Sequence, residues 1–230
     1  MTRVQTRVFS GSDALVRALA DALCADADAA IAVRGAFHIV LAGGSTPRAL
    51  YAELARRGVG DAGWHVWYGD ERCLPEDDPE RNSVMAETAW LAVSNVPPEN
   101  RRPIPAELGA VDAAAAYGAW LEGVRDFDVV LLGMGEDGHT ASLFPDHDWG
   151  AAPGSADVLA VFDAPKPPPT RVSLSAARLS RSAKLWCVVT GAGKHAALRR
   201  WAAGARLPIT SVRGKQETIA WLDAAAWRGA

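Results

Sequence analysis

The sequence predicts an α/β protein of three layers, with a mostly parallel sheet and helices on both of its faces. Three observations carry this. Short runs that are apolar throughout recur at FHIVLA (37–42), HVWYG (65–69), FDVVLLG (127–133), DVLAVF (157–162), RVSLS (171–175) and KLWCVVT (184–190). Around them lie Ala- and Leu-rich stretches of helical spacing at 12–33, 47–57, 82–93, 111–124 and 193–203. Strands that show no apolar/polar alternation are covered on both sides, which is the condition of a parallel sheet between helices. With 49% hydrophobic residues the chain can bury a substantial core.

Two Pro-rich stretches punctuate the chain without dividing it. NVPPENRRPIP (95–105) reads as a surface connection, and DAPKPPPT (163–170) as a stiff, polyproline-like one too short to link domains. Strand-like runs continue on both sides of each, so residues 1–230 are expected to form a single domain. No apolar run approaches the ~20 residues of a membrane span. The start, MTRVQTRVFSGS, lacks the apolar segment of a secretory signal, so a cytoplasmic location is the default expectation. The three cysteines, Cys24, Cys73 and Cys187, have neither metal-ligand spacing nor the look of a disulfide framework. A net charge of -3 with interspersed signs gives no basic stripe for nucleic acid. An anionic substrate would have to be drawn by a few placed cations.

Ligands of open parallel sheets gather at the carboxyl ends of the strands, so the residues just beyond each strand matter most. FHIVLA leads into GGSTPRALYAELARRG, in which Gly43 and Gly44 permit a tight turn, Ser45 or Thr46 can cap a helix, and Pro47 suits its first turn. That is either a well-capped connection or an open helix end suited to phosphate. HVWYG leads into Asp70, Glu71 and Arg72, which places an arginine fork at the same edge. Asn82 then reads as a helix cap, and the acidic run between as a solvated loop. FDVVLL leads into GMGEDGHTASLFP, where Gly133, Gly135 and Gly138 allow positive φ and close backbone approach. His139 is the one side chain there suited to taking and returning a proton near neutrality, and Asp137, two residues before it, is placed to orient either its ring or a substrate hydroxyl. RVSLS begins with Arg171. KLWCVVT leads into GAGKHAALRRW, where Lys194 opposes the dipole of the helix it precedes and so is expected to serve an anion. His195 reads as a surface bystander. Together these residues suggest a phosphorylated small molecule and acid–base chemistry.

The ordered set VLAGGSTPRALYAEL, WYGDERCLPEDDPERNS, LLGMGEDGHTASLFP, RVSLS, VVTGAGKHAAL and LPITSV…IAWLDAAAW resembles the bacterial-type 6-phosphogluconolactonases, from about residue 9 to about residue 227. The family is related to glucosamine-6-phosphate deaminases and ribose-5-phosphate isomerases. The resemblance implies a Rossmann-like sheet and hydrolysis of 6-phospho-D-glucono-1,5-lactone to 6-phospho-D-gluconate in the oxidative pentose phosphate pathway. It implies no cofactor and no metal. It assigns catalysis to His139, Asp137 and Arg72, and substrate or phosphate binding to Gly43, Gly44, Ser45, Asp70, Asn82, Arg171 and Lys194. The implied partner is a small sugar-phosphate lactone, with neither nucleic acid nor membrane, and the assembly a monomer or weak homodimer. The deaminase relatives share the DGH block but continue toward a Phe-Asn-Glu-Pro segment. Here Thr140 to Pro145 contains no glutamate, which favours a lactonase.

Overall fold

The computed structural model describes residues 4–227. In chain order its strands and α-helices are β1 (Val4–Phe9), α1 (Ser12–Arg34), β2 (Phe37–Leu41), α2 (Ser45–Arg56), β3 (Trp64–Tyr68), β4 (Asp70–Arg72), α3 (Asn82–Ala89), β5 (Arg101–Arg102), α4 (Ala110–Trp120), β6 (Phe127–Leu132), β7 (Val158–Val161), β8 (Arg171–Leu174), α5 (Ala176–Leu179), β9 (Ser182–Val189), α6 (His195–Ala202), β10 (Glu217–Asp223) and α7 (Ala224–Trp227). Seven strands form one sheet in the order β1-β10-β9-β6-β2-β3-β5, and every neighbouring pair in it is parallel. In β6 the consecutive residues Val129 to Leu132 are all buried. Successive side chains on a strand point to opposite faces, so both faces are covered, as the unbroken apolar runs require.

The α/β layering expected from the periodicity is present, with one correction. DVLAVF and RVSLS do not enter the parallel sheet. They form β7 and β8 of a separate antiparallel sheet, in the order β4-β8-β7. An apolar run marks burial on both sides, and it does not say in which sheet. β4 comes after β3 with a single residue between them, Gly69, which is bonded to both sheets. Its N–H donates to the Leu41 carbonyl at 3.0 Å and its carbonyl accepts from Leu174 at 2.8 Å. The periodicity also leaves β1 and β10 unmarked. β1 lies at the sheet edge and is exposed over Gln5 to Val8, and β10 runs straight into Ala-rich helix, so its own limits are hidden.

The chain leaves β2 toward β3 on one side, and β6 later pairs with β2 on the other. That reversal opens a crevice at the carboxyl ends of β2 and β6. Below it lies one contiguous core drawn from both sheets, including the fully buried Trp90, Trp186 and Trp221. Each large apolar side chain removed from water there contributes about 1.5–3 kcal/mol. No helix among the described residues is long and apolar enough to cross a membrane.

Candidate active site

The crevice is a cleft of ≈350 Å³. Of the ten residues that the sequence singles out, nine line it: Gly43, Gly44, Ser45, Asp70, Arg72, Asn82, His139, Arg171 and Lys194. Asp137 stands behind His139 instead. Among the described residues, no three His, Cys, Asp or Glu side chains are grouped so as to hold a metal ion.

The Gly43–Gly44 turn leads from β2 into α2. Gly44 has φ +110°, a region that strongly favours glycine, and it is the cap residue of the helix. No side chain caps α2, so neither Ser45 nor Thr46 acts as the cap expected of it. The first-turn N–H groups are left open toward the cleft, where an anion would satisfy them. At Gly43 a Cβ would overlap the Asn82 amide, so only glycine admits this approach. Thr46 bonds across to Thr190 (Oγ1···Oγ1 2.6 Å), tying this turn to the one that carries Lys194.

Asp70, Glu71 and Arg72 form β4. Asn82 begins α3 but does not cap it; its amide donates to the Asp70 carbonyl at 3.0 Å and to Asp70 Oδ1 at 3.2 Å. Ser142 Oγ donates to the other carboxylate oxygen at 2.6 Å. The capping is done by Glu71, which is not among the ten candidates. Its carboxylate accepts from the backbone N–H groups of Arg72, Asn82 and Ser83 at 2.9, 2.7 and 2.8 Å. It also faces the equally buried Arg81 at 3.7 Å. Burial pushes the Glu71 carboxyl up, and the three N–H bonds pull against that rise. Arg72 donates from Nη1 to the Glu80 carbonyl.

In the loop after β6, Gly138 takes φ +90°. Gly135 is needed for space, because a Cβ there would run into the His139 ring. Gly133 does neither, contrary to expectation: its φ is not positive and nothing lies near its missing Cβ. The loop closes through Gly135 N–H to the His139 carbonyl at 2.8 Å. Asp137 Oδ1 then meets His139 Nδ1 at 2.6 Å and the His139 backbone N–H at 3.1 Å. Partial burial raises the Asp137 carboxyl, but the backbone bond and the imidazole outweigh it, and the group sits below the ordinary aspartate value. Phe144 packs against the histidine, ring centroids 4.9 Å apart.

Arg171 begins β8 directly opposite Arg72 of β4. It is 6% exposed, and its charge is countered by Asp70 nearby. Lys194 closes a 3₁₀ turn immediately before α6. His195 does not line the cleft, as expected of a bystander, but it is half-buried and not a plain surface residue. Thr46, Phe144, Lys166 and Thr190 also line the cleft, and none of them is among the ten candidates. Thr190 comes directly after KLWCVV, so the strand-end rule could have found it. Lys166 carried no such signal, because it lies within a proline run that reads as a connection.

The arrangement offers an imidazole with an oriented proton, an open helix end, and four cations against one carboxylate on the cleft wall. The family description "Glucosamine-6-phosphate isomerases/6-phosphogluconolactonase" matches residues 10–221. The 6-phosphogluconolactonase of Mycobacterium tuberculosis is 39% identical over 240 residues, covering 95% of this chain and 96% of that one. That of Streptomyces coelicolor is 37% identical over 216 residues, covering 85% and 82%. The crystal structure of the Thermotoga maritima 6-phosphogluconolactonase superposes with a TM-score of 0.88 at 23% identity, covering 96% of this chain and all of that one (100%).

Proposed function

The chain belongs to the family of glucosamine-6-phosphate isomerases and 6-phosphogluconolactonases, and from that premise we propose that it hydrolyses 6-phospho-D-glucono-1,5-lactone to 6-phospho-D-gluconate, with His139 as base and then acid. The observation that carries the mechanism is the 2.6 Å pair between His139 Nδ1 and Asp137 Oδ1. An ionised carboxylate only accepts, so Nδ1 holds the proton and Nε2 keeps a lone pair.

In this mechanism Nε2 removes a proton from a water as its oxygen bonds to the lactone carbonyl carbon, C1. The C1 oxygen becomes an oxyanion, stabilised by Arg72 and by N–H groups of the glycine turns. The oxyanion then re-forms the carbonyl, the bond from C1 to the ring oxygen breaks, and the imidazolium gives its proton to that oxygen. Asp137 stabilises the imidazolium between the two transfers. The phosphate takes the open end of α2 with Ser45, Lys194 and Arg171, while Asp70 and Asn82 orient the ring hydroxyls. Such a lactone hydrolyses in water unaided, so positioning and one acid–base group are chemically sufficient.

A glucosamine-6-phosphate deaminase is the nearest rival on this scaffold. Residues 140–145 counsel against it, since TASLFP holds no acidic side chain beside the histidine. The test is a coupled assay with freshly generated lactone, reading NADPH from 6-phosphogluconate oxidation with spontaneous hydrolysis subtracted. The wild type should accelerate hydrolysis, and His139→Ala should lower kcat by about 10²–10⁴. A near-wild-type kcat in that variant would remove His139 from the chemistry. Ammonia release from glucosamine 6-phosphate would replace the reaction altogether.

A further inference from the structure

The lactonase reading leaves the stretch DAPKPPPT (163–170) unused. In the structure it is a strap on the cleft wall, closed on itself by the Ala164 N–H donating to the Pro169 carbonyl at 3.0 Å. Arg171 fastens it. Its Nε donates to the Pro168 carbonyl at 3.0 Å, and its Nη2 donates to the carbonyls of Lys166 and Pro167 at 2.9 and 3.1 Å. The same guanidinium lies over the Phe144 ring, 5.6 Å from its centroid. A buried arginine held by three carbonyls and a ring is a fixed post, and its grip sets where Lys166 stands.

Lys166 lines the cleft, is exposed, and forms no ion pair among the described residues. Arg171 has only Nη1 left for a ligand, because Nε and Nη2 serve the strap. Arg72 likewise commits one nitrogen to Glu80. The two lysines are therefore the cations of the cleft not already engaged with the protein. A sugar phosphate brings about -1.5 to -2 charges near neutrality and three acceptor oxygens, so an unengaged ammonium on the cleft wall adds a contact beside Lys194, the helix end and Arg171 Nη1.

We infer that Lys166 is a substrate-binding residue whose ammonium takes the phosphate, and that Arg171 is the positioning residue that holds it there through the backbone of 166–168. This rests on the lactonase reading for its substrate. It makes the strap a specificity device, rewarding a phosphorylated lactone over the same ring without phosphate.

The experiment measures kcat/KM for 6-phosphogluconolactone and for unphosphorylated glucono-1,5-lactone in the wild type, Lys166→Met, Lys166→Arg, Arg171→Lys and the Lys166→Met/Arg171→Lys double variant. The calorimetric Kd for 6-phosphogluconate is determined alongside. Lys166→Met should lower the preference for the phosphorylated lactone by about 10-fold and weaken 6-phosphogluconate binding by a similar factor, the loss of one charge-assisted contact. Lys166→Arg should keep most of both. The two single losses should be less than additive in the double variant, because Arg171→Lys already releases the lysine. An unchanged preference or Kd in Lys166→Met overturns the binding role, as does equal loss on both lactones. Full additivity overturns the positioning role. A wild type that binds 6-phosphogluconate without hydrolysing the lactone fails the proposed reaction only, and Kd still decides Lys166. A wild type that binds no 6-phosphogluconate overturns both.

Discussion

At the scale of single residues, the proposed chemistry depends on holding one imidazole at one angle. Asp137 does this with one carboxylate oxygen that serves both the ring and the backbone of His139, and Gly135 does it by having no side chain. Gly135→Ala is accordingly expected to turn the ring away from Asp137. Its kcat should fall by about 10²-fold or more, toward that of His139→Ala, while the far-ultraviolet circular dichroism stays native. An active Gly135→Ala enzyme would show that the ring has room to reorient without cost. The residues of this loop could be picked out before the fold, since glycines around a histidine at a strand end mark a candidate for acid–base chemistry. Glu71 was not. It sits between two residues that face the cleft, and only the packing shows its carboxylate turned the other way, onto the N–H groups that start α3.

At the scale of elements, the amino ends of the strands are built differently from the carboxyl ends. His38 of β2 and His65 of β3 are register partners, and their rings stack 4.6 Å apart. Trp67 donates its indole N–H to His38 Nδ1 at 3.2 Å, so the neutral ring is the one the structure uses. Burial lowers His38 from 6.5 to about 4; His65, Arg34 and Arg178 act in the same direction and Asp128 against it. The folded state thus binds fewer protons here than the unfolded chain between those two values, and stability rises with pH across that window. It is fully present above about 6.5 and lost as pH falls toward 4. Thermal unfolding followed from pH 7 to pH 4 should show Tm falling, and more shallowly in His38→Gln, which keeps an acceptor for Trp67. Parallel slopes would place the acid sensitivity elsewhere.

At the scale of the whole molecule, the two sheets share the core, with Val158, Val172 and Leu174 of the small sheet in the same cluster as the parallel strands. We propose on this ground that the chain unfolds as one unit. Urea transitions followed by tryptophan fluorescence and by far-ultraviolet circular dichroism should coincide. Two separated midpoints would mean that the antiparallel sheet comes away by itself. The covering of both faces and the crevice at the β2/β6 reversal also explain why residues as distant in the chain as Gly43 and Lys194 line one cleft. Most of them lie just after a buried strand or in the turn beyond it.

That last regularity divides what was in the sequence from what was not. Unbroken apolar runs alternating with helical spacing determined the α/β class, because a strand buried on both faces needs helices on both. Glycine turns and polar residues after those runs determined nearly all of the cleft, because a parallel sheet collects ligands at one edge. Which sheet β7 and β8 join, which groups cap which helix, and where the proline strap lies were decided only by tertiary structure. Those outcomes depend on contacts between segments far apart in the chain. Arg171 illustrates the division: its place at a strand start is local and could be read, but its partners are the carbonyls of a folded strap, and a backbone carbonyl leaves no mark in a sequence.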